Sequence, residues 1–175
     1  MKTISGRLAL CLGALSMAGA ALADPDSQTF SVTANVAQGC VVLVKSHMAF
    51  GTLNVTSDTA AESQATFDVT CTNGSGAVSL AFGSANGNRT GDASAFKMVK
   101  GAGTTAAERL VYTLSKADKT TLIAIDKAIP FTELVADGTA KRLTINGKIA
   151  AAAKKGAMTG TYTDTVTMTA TYPAI

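Results

Sequence analysis

The sequence contains few of the side chains that enzymes use for catalysis. His47 is the only histidine among its 175 residues, and no Gly-x-Ser-x-Gly motif surrounds a serine nucleophile. The glycine-rich stretch 74–91 lacks the Gly-Lys-Ser/Thr ending of a phosphate-binding loop. Asp164 is a carboxylate of the kind used in general acid catalysis, but its place near the start of a strand pattern favours a turn or hydrogen-bonding role. We therefore predict that the chain is not an enzyme and needs no cofactor.

Cysteine is also scarce, and its distribution limits the chemistry further. Of the three cysteines, Cys11 lies in an N-terminal segment with the features of a signal peptide, which leaves Cys40 and Cys71. In an exported chain two cysteines most simply form one disulfide, and the closed loop of about 31 residues would stabilise the fold by roughly 3–4 kcal/mol. A metal-binding pair or a catalytic thiol is the alternative. The sequence has no Cys-x-x-Cys motif and a single histidine, so we expect no metal.

The N-terminal segment predicts export. Lys2 and Arg7 precede an apolar stretch, and the small-x-small pattern of residues 21–23 matches a signal-peptidase cleavage site. The apolar stretch is too short for a membrane span, which takes roughly 20 residues. Removal of residues 1–23 leaves a chain of the length expected for one domain. Its numbers of basic and acidic residues are nearly equal. Such a balance gives no electrostatic reason to expect nucleic acid or an acidic membrane as a partner, and we expect no insertion into a membrane.

Alternation of apolar and polar residues runs through the rest of the sequence and predicts an antiparallel all-β fold. In the clearest case, Val166, Met168, Ala170 and Tyr172 alternate with threonines, as a strand with one face on a core requires. The other predicted strands are 30–36, 65–71, 77–82, 109–114 and 141–145. Asn and Gly tolerate the positive φ angles of tight turns. The predicted turns are 73–76, 84–88, 101–103, 137–138 and Asn146-Gly147, and the alanine-rich stretch 149–155 is long enough only for a loop or one helical turn.

Four stretches of the sequence match motifs of a known family. They are the alternating run that ends at Gly39-Cys40, the pair Phe50-Gly51, residues 69–74, and the closing Gly-x-Tyr-x-Asp-Thr pattern at 160–165. On these residues the chain resembles the spore coat protein U-like domains, which include the pilins of archaic chaperone–usher pili. Two positions depart from the family pattern. Many relatives have Trp-Gly where this chain has Leu122-Ile123-Ala124, and many have proline at the position of Ala150.

The resemblance implies an immunoglobulin-like β-sandwich that lacks its last strand. In such pilins a groove lined by core residues stays open beside the terminal strand. A periplasmic chaperone fills it during export, and at the outer-membrane usher the N-terminal extension of another subunit replaces the chaperone's strand. The implied segments are a signal peptide (1–23), a donor-strand extension (24–38) and a pilin domain (39–175). The implied donor side chains are Phe30, Val32, Ala34 and Val36. The implied acceptor residues of the terminal strand are Tyr162, Val166, Met168, Ala170 and Tyr172.

The leading hypothesis is a structural subunit of a bacterial surface pilus. It would polymerise head to tail with copies of itself or related pilins, pass through the periplasm to the cell surface, and serve adhesion or biofilm formation. The alternative is a secreted coat or adhesin β-sandwich that completes its own sheet with residues 30–36 and binds a surface ligand through its loops. The run 30–36 allows both interpretations, because self-insertion and donation to a neighbour use the same side chains.

Overall fold

The computed structural model describes residues 30–87 and 95–172. The chain forms two units, Met1–Asn35 and Val36–Ile175. In the first unit, the described residues 30–35 have no regular secondary structure and are exposed. The predicted signal peptide and residues 24–29 of the predicted extension lie outside the described residues. The second unit contains the strands, and the regular secondary structure of its described part is nearly all strand.

The second unit is an antiparallel β-sandwich, as the sequence predicts. Its strands in the described residues are β1 (Cys40–Ser46), β2 (Ala61–Cys71), β3 (Ser79–Ser84), β4 (Phe96–Val99), β5 (Arg109–Ser115), β6 (Leu122–Ile123), β7 (Ile129–Pro130), β8 (Lys141–Ile149) and β9 (Val166–Thr171). One sheet has six strands in the order β1-β2-β8-β5-β4, with β6 paired to β5, and the other has three in the order β7-β3-β9. Helix α1 (Ala151–Lys154) is a single turn, which confirms the prediction for this stretch.

The core lies between the two sheets and follows from alternation along the strands. In β5, Leu110, Tyr112 and Leu114 are buried, whereas Val111 and Thr113 face outward. Side chains that alternate across a strand in this way place one face of the sheet on the core. The buried residues of β8 and β3 in the same hydrophobic cluster are Leu143, Ile145, Ile149, Leu80 and Phe82.

The predicted turn at Asn146-Gly147 is wrong, because β8 runs through both residues to Ile149. Both residues pair with β2 on one side and with β5 on the other. The side-chain amide of Asn146 donates a 2.8 Å hydrogen bond to the carbonyl of Lys116. Gly147 lies under the side chains of Met48 and Phe50, which leave no space for a Cβ atom. The need for close packing, rather than for a positive φ angle, therefore explains this glycine.

The predicted disulfide between Cys40 and Cys71 is confirmed. The two cysteines are direct partners across β1 and β2, so the bond fixes the first residue of β1 to the last residue of β2. The Thr72 backbone N–H and hydroxyl also donate hydrogen bonds to the Gly39 carbonyl, at 2.8 and 3.1 Å. Together these bonds fix the point at which the N-terminal residues enter the sandwich.

Candidate binding groove

β1 and β9 are edge strands of different sheets, and each has an unpaired side. Among the described residues, β1 pairs only with β2, and β9 pairs only with β3. The backbone N–H and C=O groups on the unpaired side of each strand have no strand partner. Such an edge is a template for the addition of another strand.

A groove opens between these two edges and reaches the hydrophobic core. Val44 of β1 and Val166 of β9 line it from the two sides and are 46% and 38% exposed. The volume of the groove is about 520 Å³. The core side chains that line it are Phe67, Phe82, Met98, Tyr112, Leu114 and Ile145. The sandwich is therefore open toward its core where β1 ends and β9 begins.

The segment that follows β1 contributes three lining residues to the groove, His47, Met48 and Phe50. The Ala49 backbone N–H donates to Ser63 Oγ at 3.1 Å, and the Ser63 hydroxyl donates to the Ala49 carbonyl at 2.7 Å. These two bonds hold the segment against β2. His47 directly follows the end of β1, and its side chain is exposed.

Asp164 lines the groove and accepts four hydrogen bonds. Its Oδ2 accepts from the Ser84 hydroxyl at 2.6 Å and from the Tyr112 hydroxyl at 2.7 Å. Its Oδ1 accepts from the Asn86 side-chain amide at 3.0 Å and from the Thr165 backbone N–H at 2.9 Å. Burial, and then the hydrogen bond to this carboxylate, raise the pKa of Tyr112 well above its ordinary value. The predicted hydrogen-bonding role of Asp164 is confirmed.

The five residues predicted to form the acceptor strand occupy different environments. Tyr162 and Val166 line the groove, although Tyr162 precedes the start of β9. Met168 and Ala170 are half-buried and pack against the core. Tyr172 is 36% exposed. The structure thus brings the first two residues to the groove, whereas Met168, Ala170 and Tyr172 are not among its lining residues.

The four side chains predicted to act as donors are exposed to solvent. Phe30, Val32 and Val36 are 87%, 81% and 77% exposed, and Ala34 is exposed as well. None of the residues 30–39 belongs to a strand. The structure therefore leaves the apolar side chains of this run in contact with water.

Sequence reasoning misses β1, although this strand forms one side of the groove. The run Val41-Val42-Leu43-Val44 is apolar throughout and lacks the alternation that predicts a half-buried strand. Val42 packs against the core, whereas Val41 and Leu43 are 70% and 56% exposed. A short continuous apolar run next to a glycine is also typical of a strand. This criterion would have predicted β1.

Most of the groove lining is apolar, with a few titratable side chains among it. Of its titratable side chains, Asp164 and Tyr112 are hydrogen-bonded to each other, the Tyr162 hydroxyl donates to the carbonyl of Ala107 at 2.6 Å, and His47 is exposed. Within residues 30–87 and 95–172, no group of three or more His, Cys, Asp or Glu side chains is placed to hold a metal ion. In the same part of the chain, no helix has the length and apolar character needed to cross a membrane.

Comparison with solved structures finds the same fold in another protein. The crystal structure of the P pilus rod subunit PapA matches with a TM-score of 0.52 at 15% sequence identity, over 85% of this chain and 99% of that chain. A chain from a chaperone–tip adhesin complex of CFA/I fimbriae biogenesis matches with a TM-score of 0.49 at 17% identity, over 77% of this chain. The present chain spans 42% of the length of that second match. The fold is that of a pilus subunit.

The chain belongs to the Spore Coat Protein U domain family. The family model matches residues 26–169, which include the predicted donor run as well as most of the sandwich. The resemblance inferred from the sequence motifs is thereby confirmed. Comparison with curated proteins gives no match.

Proposed function

We propose that this chain is a structural subunit of a bacterial surface pilus and that its groove accepts a β-strand from another polypeptide. The proposal depends on one observation: the groove between β1 and β9 is open to the core and bordered by two unpaired strand edges. A strand placed there would bond to the exposed edges through its backbone and cover the lining with its inward side chains. Without such a strand, the open edges favour aggregation.

The N-terminal run of a second copy supplies a strand of the required pattern. Its alternate apolar side chains would fill the groove, while the polar ones between them would face solvent. Burial of three large side chains and an alanine contributes roughly 5–8 kcal/mol by transfer estimates, less the cost of ordering the strand. The donor side chains in this proposal are Phe30, Val32, Ala34 and Val36, within an extension of residues 24–38. The acceptor residues along the terminal segment of domain 39–175 are Tyr162, Val166, Met168, Ala170 and Tyr172.

One strand donated and one strand accepted by each copy gives a head-to-tail contact. Contacts of this heterologous kind continue into open filaments unless the rotation between copies closes a ring. Before assembly the groove needs a temporary strand, which we assign to a periplasmic chaperone. An outer-membrane usher then exchanges it for the extension of the next copy. The resulting fibre at the cell surface would serve attachment or biofilm formation.

The proposal is tested by co-expression with a periplasmic chaperone and usher, followed by electron microscopy of the material released from cells. The wild-type chain is expected to give fibres. The double variant Val32→Asp, Val36→Asp would place two carboxylates against an apolar lining, so we expect no fibres from it. Its binding to the chaperone should be unchanged, because the groove itself is unaltered. The control is Thr33→Asp, which changes the opposite face of the same run and should preserve the fibres.

Two results would contradict the proposal. Normal fibres from the double variant would exclude the donor role of Val32 and Val36. A soluble, cooperatively folded monomer that lacks residues 24–36 and has no chaperone would show that the sandwich does not need a further strand. The second result would count equally against the alternative, in which residues 30–36 complete the chain's own sheet.

A further inference from the structure

A second apolar cavity lies beside the turn that follows β2. Its volume is about 490 Å³. Val78, Phe131 and Leu134 contribute to its lining and are 1%, 2% and 4% exposed, whereas Val135, which also lines it, is 57% exposed. None of the lining residues is charged. The opening therefore presents an uncharged, mainly apolar surface to solvent.

The turn after β2 connects this cavity to the base of the N-terminal extension. On one side of the turn, the Thr72 backbone N–H donates a 2.8 Å hydrogen bond to the carbonyl of Gly39. On the other side, Gly74 lines the cavity, and its N–H donates a 3.1 Å hydrogen bond to the carbonyl of Ala136, another lining residue. The base of the extension and the cavity therefore occupy the same end of the sandwich, in a fixed relationship.

The chain between the donor run and the sandwich is too short to separate two subunits. Ala37, Gln38 and Gly39 are the only residues between Val36 and Cys40. An extended chain spans at most about 3.3–3.6 Å per residue, so Cys40 lies within roughly 14 Å of Val36. A second copy that holds Val36 in its groove must therefore place its own surface next to the end that contains the cavity.

From this geometry, and resting on the proposed function, we infer that the cavity is a second contact between successive subunits of the fibre. It receives an apolar surface of the copy that holds the donated strand. The strand already tethers the two copies, so the cavity meets this surface at an effective concentration in about the millimolar range. A contact much smaller than a stable free interface is then sufficient. This second contact would fix the angle between neighbouring subunits.

The inference is tested by thiol labelling of two valine-to-cysteine variants within assembled fibres. Val135→Cys reports on the cavity, and Val111→Cys, on the outward face of β5, is the matched control. Labelling with a maleimide under non-reducing conditions leaves the native disulfide intact. In the isolated chain Val135 is 57% exposed and Val111 is 38% exposed. Without a contact the thiol at position 135 should react at least as fast as the control; with the contact we expect it to react at least tenfold more slowly.

Each outcome bears on the inference in a different way. Equal or faster labelling at position 135 in fibres would overturn it and leave the donated strand unaffected. If the wild-type chain forms no fibres, the proposed function fails and the inference fails with it. Hydroxyl-radical footprinting of wild-type fibres repeats the comparison without any substitution. There we expect less oxidation at Val135 than at Val111, the reverse of the order that their exposures alone predict.

Discussion

The hydroxyl of Tyr112 donates a 2.7 Å hydrogen bond to Oδ2 of Asp164, and this bond joins the two sheets beside the groove. Tyr112 belongs to β5 of the six-stranded sheet, whereas Asp164 lies just before β9 of the three-stranded sheet. The neighbouring residue Thr163 exchanges backbone hydrogen bonds of 2.9 and 3.0 Å with Val99 at the end of β4. The start of β9, one border of the groove, is therefore held to the opposite sheet.

Replacement of Tyr112 by phenylalanine should weaken this connection while preserving the aromatic ring. Asp164 would lose one of its two donors at Oδ2, and a lost hydrogen bond to a partly buried carboxylate costs roughly 1–3 kcal/mol. We expect calorimetry of Tyr112→Phe fibres to show a lower melting temperature than that of wild-type fibres. Tyr172→Phe is the control, because its hydroxyl lies 3.4 Å from its acceptor at an exposed position. Equal melting temperatures for the two variants would contradict the role given to Tyr112.

The same contact predicts a specific response to alkaline pH. Burial, and then the hydrogen bond and charge of Asp164, raise the pKa of Tyr112 above its ordinary value of 10.0. The folded state therefore holds the phenolic proton more tightly than the unfolded chain does. The stability from this difference is fully present below pH 10 and is lost as the pH rises further. Ultraviolet titration of fibres should show a tyrosine that ionises only as the fold is lost, and Tyr112→Phe should abolish this late step.

Strands that place one face on the core are predictable from the sequence, and strands in other environments are not. Alternation predicts β5, because Leu110, Tyr112 and Leu114 face the core between outward residues. It misses β1, in which Val41 and Leu43 are exposed apolar residues. It also misses β4, whose four residues are too few to establish a period.

The groove could be expected beside the terminal strand only from the family resemblance, because its lining depends on how two sheets pack. Phe67 and Phe82 line it from different sheets, and no pattern along the chain brings them together. Asn146-Gly147 shows the same limit at a single site. The local preference of this pair is for a turn, but here the glycine lies within a strand, beneath the side-chain ends of Met48 and Phe50. Tertiary structure overrides the local signal there.

A methyl group at Gly147 should disturb both the fold and the groove. A Cβ atom at this position would lie 2.9 Å from Cζ of Phe50 and would also collide with the side chain of Met48. Overpacking of this kind costs about 1–3 kcal/mol, and the two displaced side chains both line the groove. We expect Gly147→Ala fibres to melt at a lower temperature and to form in lower yield than wild-type fibres.

The matched control for this substitution is Gly156→Ala. A Cβ atom at Gly156 has no neighbour within 4 Å, and its backbone does not require a positive φ angle. We expect this variant to resemble the wild type in both melting temperature and fibre yield. If Gly147→Ala and Gly156→Ala behave alike, the packing explanation for the glycine in β8 is wrong.

Removal of the disulfide should weaken the fibre at the base of the donated strand. The bond joins Cys40 and Cys71 across a sequence separation of 31, for which the chain-entropy model gives roughly 3–4 kcal/mol. β1 pairs only with β2 among the described residues, so tension on the extension acts at the end of an edge strand. Without the covalent bond, only the weaker hydrogen bonds of β1 and of Gly39 with Thr72 resist the separation of β1 from β2. We expect the double variant Cys40→Ser, Cys71→Ser to unfold at a lower denaturant concentration.

A reducing agent supplies the control for this last prediction. Dithiothreitol should shift the unfolding midpoint of the wild-type chain toward that of the double serine variant and should leave the variant unchanged. Because Cys71 is only 4% exposed, the bond should react slowly in intact fibres, and the shift should grow with time under partly denaturing conditions. Coincident midpoints for the oxidised wild type and the double variant would mean that backbone pairing alone fixes β1 to β2.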